Sequence, residues 1–175
     1  MQDDNEDVLA ARNDVNEMEA MLSGYLDFAR GLGQEKPEDI DLKDFVQETI
    51  SKLKGVKFEY ETQPIVQIRA AMIRRAISNL VNNALKYGNK AWLTLTTDGE
   101  RVYLHIDDDG PGIPPEKRSE AFKAFQRLDE ARNQNVEGVG LGLAIARDIA
   151  QIHGGKIILD DSPQGGLRAT LQLPL

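Results

Sequence analysis

Apolar residues in the first part of the chain recur three and four positions apart. Val15, Met18, Leu22, Tyr25 and Ala29 form a heptad-like seam, which predicts one long helix from about Glu6 to Leu32. Met21, Leu26 and Phe28 widen that apolar surface, so the helix is expected to seek a partner helix; packing back on its own domain is the plainer alternative. Gly31 and Gly33 end it. The next residues, polar around Pro37, read as a linker. The chain therefore divides into 1–33, a linker at 34–40, and a compact part at 41–175.

In the compact part the rhythm alternates between helix and strand. Asp41 is placed to cap a helix whose apolar face is Leu42, Phe45, Val46, Ile50 and Leu53. Val56, Phe58 and Tyr60 alternate as in a half-buried strand, and Ile65 to Ile68 reads as another. Met72 to Tyr87 is expected to be a helix with Ile73, Ile77, Leu80, Ala84 and Leu85 inward. Ala91 to Thr97 and Arg101 to Ile106 read as a hairpin turning at Asp98-Gly99. A polar stretch from Pro114 to Gly138 is interrupted by Phe122 and Phe125. Gly140 to His153 is expected to be a third helix, ended by Gly154 and Gly155. Lys156 to Leu159 and Leu167 to Leu173 close the chain as a hairpin. The fold class is α/β (α+β): a two-layer sandwich, a mixed sheet with helices on one face, preceded by one long helix.

Charge and composition narrow the functions. The net charge is −8, which disfavours nucleic acid and anionic membranes as partners, so binding a polyanion demands local positive groups. There is no cysteine, hence no disulfide framework or thiolate metal site. No apolar run approaches the roughly 20 residues needed to span a bilayer. The acidic start is unlike a secretory signal, and a cytoplasmic location is expected.

Three segments carry candidate chemistry. Asn79, Asn83 and Lys86 lie at i, i+4 and i+7 on one helical face. An Asn carbonyl oxygen suits Mg²⁺, Lys86 offers a point charge for phosphates, and Tyr87 a flat ring for a base. A polar helix face with nothing bound is the alternative. Asp107-Asp108-Asp109-Gly110-Pro111-Gly112 follows a strand. A carboxylate there can accept from an adenine amine, and the glycines admit close approach; a tight acidic turn is the alternative. The oxygen spacing of a Ca²⁺ loop is not matched. Gly138-Val139-Gly140-Leu141-Gly142 opens a helix, where backbone N–H groups and the helix dipole favour anions, although glycine runs also serve as hinges. Neither a Walker A loop nor the Rossmann fingerprint fits the spacing.

Taken together and in order, Asn79–Tyr87, Asp108–Gly112, Phe122–Phe125 and Gly138–Gly142 resemble the N, G1, F and G2 boxes of sensor histidine kinases. The resemblance runs from about Asp41 to the C-terminus, and points to the osmosensor EnvZ-like group through Tyr87-Gly88 and the Leu-Gly-Leu-Ala-Ile run. The fold it implies is the Bergerat-type ATP-binding fold shared with gyrase, Hsp90 and MutL. The resemblance implies ATP (or ADP) and Mg²⁺ as cofactors. Asn83 would hold the metal, with Asn79 beside it, Lys86 would touch phosphate, and Tyr87 would flank adenine. Asp108 would bind the adenine amine, with Gly110, Gly112 and Ile113 alongside. Phe122 and Phe125 would anchor a lid, Arg127 would reach the terminal phosphate, and Gly138, Gly140, Leu141, Gly142 and Leu143 would hinge the lid and receive phosphates. The lid, Arg127 to Glu137, is expected to be the most mobile segment.

The same resemblance makes 1–33 similar to the second helix of the dimerisation and phosphotransfer hairpin. The phosphoacceptor pattern of the first helix, His-Asp/Glu-x-x-Thr/Ser/Asn-Pro, does not occur in this sequence, and the two histidines, His105 and His153, lack its context. The expected activity is transfer of the ATP γ-phosphoryl group to a histidine on a domain absent from this chain. The implied partners are that histidine-bearing helix and a response regulator. The parent kinase would be a homodimer, with an anchor in the inner membrane as one option, and the present chain a monomer or weakly self-associating. Two alternatives stay open: a non-catalytic nucleotide-binding or docking module, and an anti-sigma-type serine kinase.

Overall fold

The computed structural model describes residues 35–123 and 140–175. The helix expected within 1–33, the lid from Arg127 to Glu137, and Phe125 and Gly138 lie outside the described residues.

The compact part begins earlier than its hydrophobic pattern indicates. Glu38–Asp41 is strand β1, antiparallel to β3 (Ile65–Ile68), with Glu38 opposite Ile68 and Asp41 opposite Ile65. This corrects the reading of 34–40 as linker throughout. Ile40 is the one apolar residue of the strand and packs against the core, while the charged neighbours suit an exposed edge. Helix α1 (Leu42–Ile50) follows directly. Asp41 is its N-cap, accepting from Asp44 N at 3.1 Å, and Leu42, Phe45, Val46 and Ile50 are buried. β2 is Val56–Tyr60.

Helix α2 spans Ala70–Tyr87, two residues longer at its start than the pattern predicts. Its stripe of Met72, Ile73, Ala76, Ile77, Leu80, Val81 and Ala84 is buried. β4 (Ala91–Thr97) and β5 (Arg101–Asp108) form the expected hairpin. Because Asp98 N donates to Arg101 O, the central pair of the turn is Gly99-Glu100, one residue later than expected. Gly99, at φ 92°, takes the first central position, and Asp98 Oδ1 accepts from Glu100 N and Arg101 N. Two 3₁₀ turns, Pro115–Lys117 and Glu120–Phe122, follow. Helix α3 is Gly142–Ile152, and β6 (Lys156–Asp161) and β7 (Leu167–Pro174) complete the chain.

The five-stranded sheet has the order β2-β4-β5-β7-β6, with β2 and β4 parallel and the other pairs antiparallel. Strand alternation sends Leu93, Leu95, Leu104, Ile106, Ala169 and Leu171 into one core with the helices, which makes the two-layer sandwich with a mixed sheet. β5 departs from alternation at its end, where consecutive Asp107 and Asp108 are both buried. Among the described residues no helix is long and apolar enough to cross a membrane.

Candidate functional site

Helices α2 and α3 pack together so that the start of α3 lies against the polar face of α2. Asn79 Nδ2 approaches Gly142 O at 3.4 Å, and a Cβ on Gly142 would stand 3.4 Å from both amide atoms of Asn83. Glycine at 142 therefore sets no side chain of its own against the Asn83 amide. Lys86 is half-buried, with its ammonium 5.2 Å from the centroid of the Tyr87 ring, which is 42% exposed. Among the described residues no side chain caps the first turn of α3, which holds no acidic residue, and Gly140 bends into it at φ 71°. A helix start of this kind favours anions, and here it is set beside the two asparagines.

Asp108 stands at the other side of the α2 C-terminus. Its Oδ1 accepts from Gly110 N at 2.8 Å and from Leu167 N at 3.0 Å. Among the described residues no donor is seen on Oδ2. Burial raises the Asp108 pKa above the usual 3.8, against the pull of those two backbone bonds. Its neighbour Asp109 goes the other way. Asp109 Oδ1 accepts from Asn89 N and Lys90 N, and those bonds hold its pKa low. Asp109 thus closes the turn after α2, while Asp108 faces the interior.

Gly110 and Gly112 sit where expected, but the space they leave is taken by the protein itself. A Cβ on Gly110 would stand 2.6 Å from Tyr87 O, and one on Gly112 3.2 Å from Gly166 O. Ile113, Phe122 and Leu143 all pack, partly buried, against the core, and the Arg147 guanidinium lies 5.8 Å from the Phe122 ring centroid. Among the described residues no group of three or more His, Cys, Asp or Glu could hold a metal ion.

Sequence reasoning missed the β6–β7 hairpin as part of this site. A Cβ on Gly166 would fall 2.1 Å from Asp108 Oδ1 and 2.5 Å from Asp108 O, and Gly166 N donates to Asp108 O at 3.1 Å. Gly166 and Leu167 thus embrace the carboxylate. Arg168 grips buried Asp107 with both ends of its fork, at 2.8 and 2.7 Å, and so locks β7 beside the same position. The signal available was a Gly-Gly turn before an alternating strand, which marks a hairpin but not its target.

Both histidines are engaged in the fold. His105 Nδ1 lies 2.9 Å from Thr170 Oγ1 and its Nε2 3.4 Å from Thr96 Oγ1. His153 Nδ1 donates to Ile149 O at 2.7 Å, so its Nε2 accepts from Arg69 N at 3.1 Å. Burial lowers both pKa values, which keeps the rings neutral near pH 7.

The described geometry has relatives of known kind. Residues 69–175 match the family described as histidine kinase-, DNA gyrase B- and HSP90-like ATPase. The sensor histidine kinase GtrS of Pseudomonas aeruginosa is 36% identical over 171 residues, covering 92% of this chain and 34% of its own length. The chain thus spans about a third of that curated relative. The histidine kinase domain of the Escherichia coli osmosensor EnvZ is 36% identical with a TM-score of 0.62, over 82% of this chain and 92% of that one. The ATP binding domain of PrrB from Mycobacterium tuberculosis is 28% identical with a TM-score of 0.63, over 80% and 98%. An acid walled in beside a helix end, an amide pair under an uncapped helix and these relatives converge: the chain belongs to the histidine kinase-, DNA gyrase B- and HSP90-like ATPase family, as an ATP-binding domain of the sensor histidine kinase kind.

Proposed function

We propose that this chain binds Mg-ATP, with adenine at Asp108 and the phosphates between Asn83, Lys86 and the start of α3, and presents the γ-phosphoryl group to a histidine carried elsewhere. The observation that carries the reading is the pairing of Asp108, whose second oxygen lacks a recorded partner among the described residues, with the uncapped α3 N-terminus over Asn79 and Asn83. The residues fit the metal. Asn83 supplies one neutral oxygen, and Mg²⁺ commonly completes its shell with substrate phosphates and water. When bound, the ion would offset phosphate charge. ADP would occupy the same place after transfer.

Catalysis at such a site is mainly positioning and charge neutralisation. The bond from the γ-phosphorus to the β–γ bridging oxygen breaks, a bond from phosphorus to an imidazole nitrogen forms, and ADP leaves. Lys86 and the α3 N–H groups hold the charge. The nucleophile comes from the histidine-bearing helix of a dimerisation domain, and a response regulator receives the phosphoryl group next. A homodimeric parent kinase and a cytoplasmic site, where ATP is supplied, belong to the same reading.

Calorimetry with ATP, with and without Mg²⁺, tests the binding. No heat and no thermal shift at millimolar nucleotide would overturn it. Incubated alone with ATP, the chain is expected to form no acid-labile phosphohistidine, because both ring nitrogens of His105 and His153 are engaged in the fold. Addition of a separate acceptor hairpin is expected to produce labelling; nucleotide binding without it would favour a non-catalytic module.

A further inference from the structure

We propose that Arg118 is a positioning residue for the base end of the nucleotide site, holding two walls at a fixed separation on either side of Asp108. The proposal rests on the nucleotide reading above. One wall is the loop from Asp109 to Arg118. The other is the β6–β7 hairpin, whose turn is closed by Ser162 N donating to Gly166 O at 2.9 Å. The walls meet at Gly112 and Gly166, and Gly166 in turn presses on Asp108. Any change in their separation is felt at the carboxylate.

Arg118 spans the outside of that contact. Its Nε donates to Ile113 O at 3.0 Å, one residue beyond Gly112. Its Nη2 lies 2.5 Å from Asp161 Oδ1, one residue before Ser162, and its Nη1 lies 3.8 Å from Asp160 Oδ1. A guanidinium offers these directions from one rigid plane, which an ammonium does not. The charges continue inward. Asp160 faces Arg168 across the β6–β7 ladder, and Arg168 grips Asp107, the neighbour of Asp108. Arg118 therefore acts on Asp108 by two routes, one through the touching glycines and one through an alternating charge row.

The arrangement is poorly suited to a stability role alone. The Arg118 side chain is 16% exposed, but its partner Asp161 is 84% exposed, and ion pairs with one end in water contribute little to folding. What the fork supplies is direction.

The test compares ATP with inosine triphosphate, in which an oxygen replaces the adenine amine. Arg118→Gln is expected to weaken ATP binding about tenfold and to lower the ATP-over-inosine preference by about threefold to tenfold, as expected when a charge-assisted contact is misplaced. The melting temperature should change little, and Arg118→Lys should restore only part of the preference. Asp161→Asn should give a smaller change in the same direction. Equal weakening of both nucleotides, or an unaltered preference, would overturn the positioning role. If the parent chain binds neither nucleotide, the failure lies with the nucleotide reading. Should Arg118→Gln fail to fold, the Asp161→Asn preference decides.

Discussion

The two ends of the site are built on different plans. At the base end the protein bonds to itself: both walls touch, Asp108 Oδ1 is held by two backbone donors, the space beside Gly110 and Gly112 is taken by neighbouring backbone, and that beside Gly166 by Asp108. At the phosphate end the contact of Asn79 Nδ2 with Gly142 O is 3.4 Å long, and among the described residues no side chain caps the first turn of α3. On the proposed reading, the base end is preformed and the phosphate end is left for a ligand to complete. Specificity would then belong to rigid geometry, and affinity for the polyphosphate to helix-end donors and local charge in an acidic protein.

The strongest way to break this contrast is to crowd the preformed end. Gly166→Val places a branched side chain where even a Cβ would meet Asp108 Oδ1 at 2.1 Å. Overpacking of this kind costs about 3 kcal/mol, and if spent on the site it weakens ATP binding about 100-fold. Calorimetry and urea unfolding of the same variant separate loss of binding from loss of fold. Unchanged ATP affinity would show that the hairpin is not part of the site.

A gentler change removes charge and keeps shape. Asp108→Asn is expected to weaken ATP binding about tenfold, the scale of one charge-assisted hydrogen bond, and to bring ATP and inosine triphosphate closer together. Because burial sets the Asp108 pKa above 3.8, the folded protein takes up this proton before the unfolded chain does. As pH falls through the folded value, the cost of burying the charge is relieved and the contribution of Asp108 to stability rises, until the unfolded carboxyl also titrates. ATP affinity moves oppositely, because the protonated group loses its anionic acceptor. The difference between parent and Asp108→Asn, measured by melting and by binding over the same pH range, isolates both slopes. Slopes of the same sign would contradict the assignment.

How much of this was legible follows from the same contrast. The helix faces and strands followed their periodicities, because each buries one stripe against a single core, as at Ile73, Ile77 and Leu80. β1 was hidden because Glu38, Asp39 and Asp41 are polar and its pairing partner lies across α1 and β2. The hairpin turn was displaced by one residue because register across β4 and β5, not the dipeptide alone, selects the central pair. Asp108, Asn83 and the glycine run were legible as local clusters. Gly166 and Leu167 were not, since Leu167 meets Asp108 across 59 residues. Arg118 was hidden for the same reason, its carboxylate partner Asp161 being 43 residues away.

At the open end a small change should have a small effect. Gly142→Ala sets a methyl against the Asn83 amide, and ATP binding is expected to weaken about threefold, while the helix start gains up to about 1 kcal/mol of stability from the alanine. The preference for ATP over inosine triphosphate should not change. A changed preference would mean that the two ends are not independent.

The smallest expected effect on nucleotide lies farthest from both ends. Helix α2 begins at Ala70 with no cap from its own N-cap residue, Arg69. Glu35 supplies the cap from the start of the described chain: its Oε1 accepts from Ala71 N at 2.7 Å, and its backbone O accepts from Arg69 Nε at 3.0 Å. The carboxylate also complements the positive end of α2. Arg69 N meanwhile donates to His153 at the end of α3, so one cluster ties the entering chain to both helices of the site. Glu35→Ala is therefore expected to cost about 1 kcal/mol of stability, the ordinary worth of an N-cap, with ATP affinity changed less than twofold. The other carboxylate oxygen, Oε2, is buried without a partner among the described residues, so Glu35→Gln keeps the capping oxygen and exchanges one such group for another. It should cost less than the alanine. Urea unfolding of the two variants gives the order, and an equal loss from both would show that charge at the helix end, rather than the hydrogen bond, carries the effect.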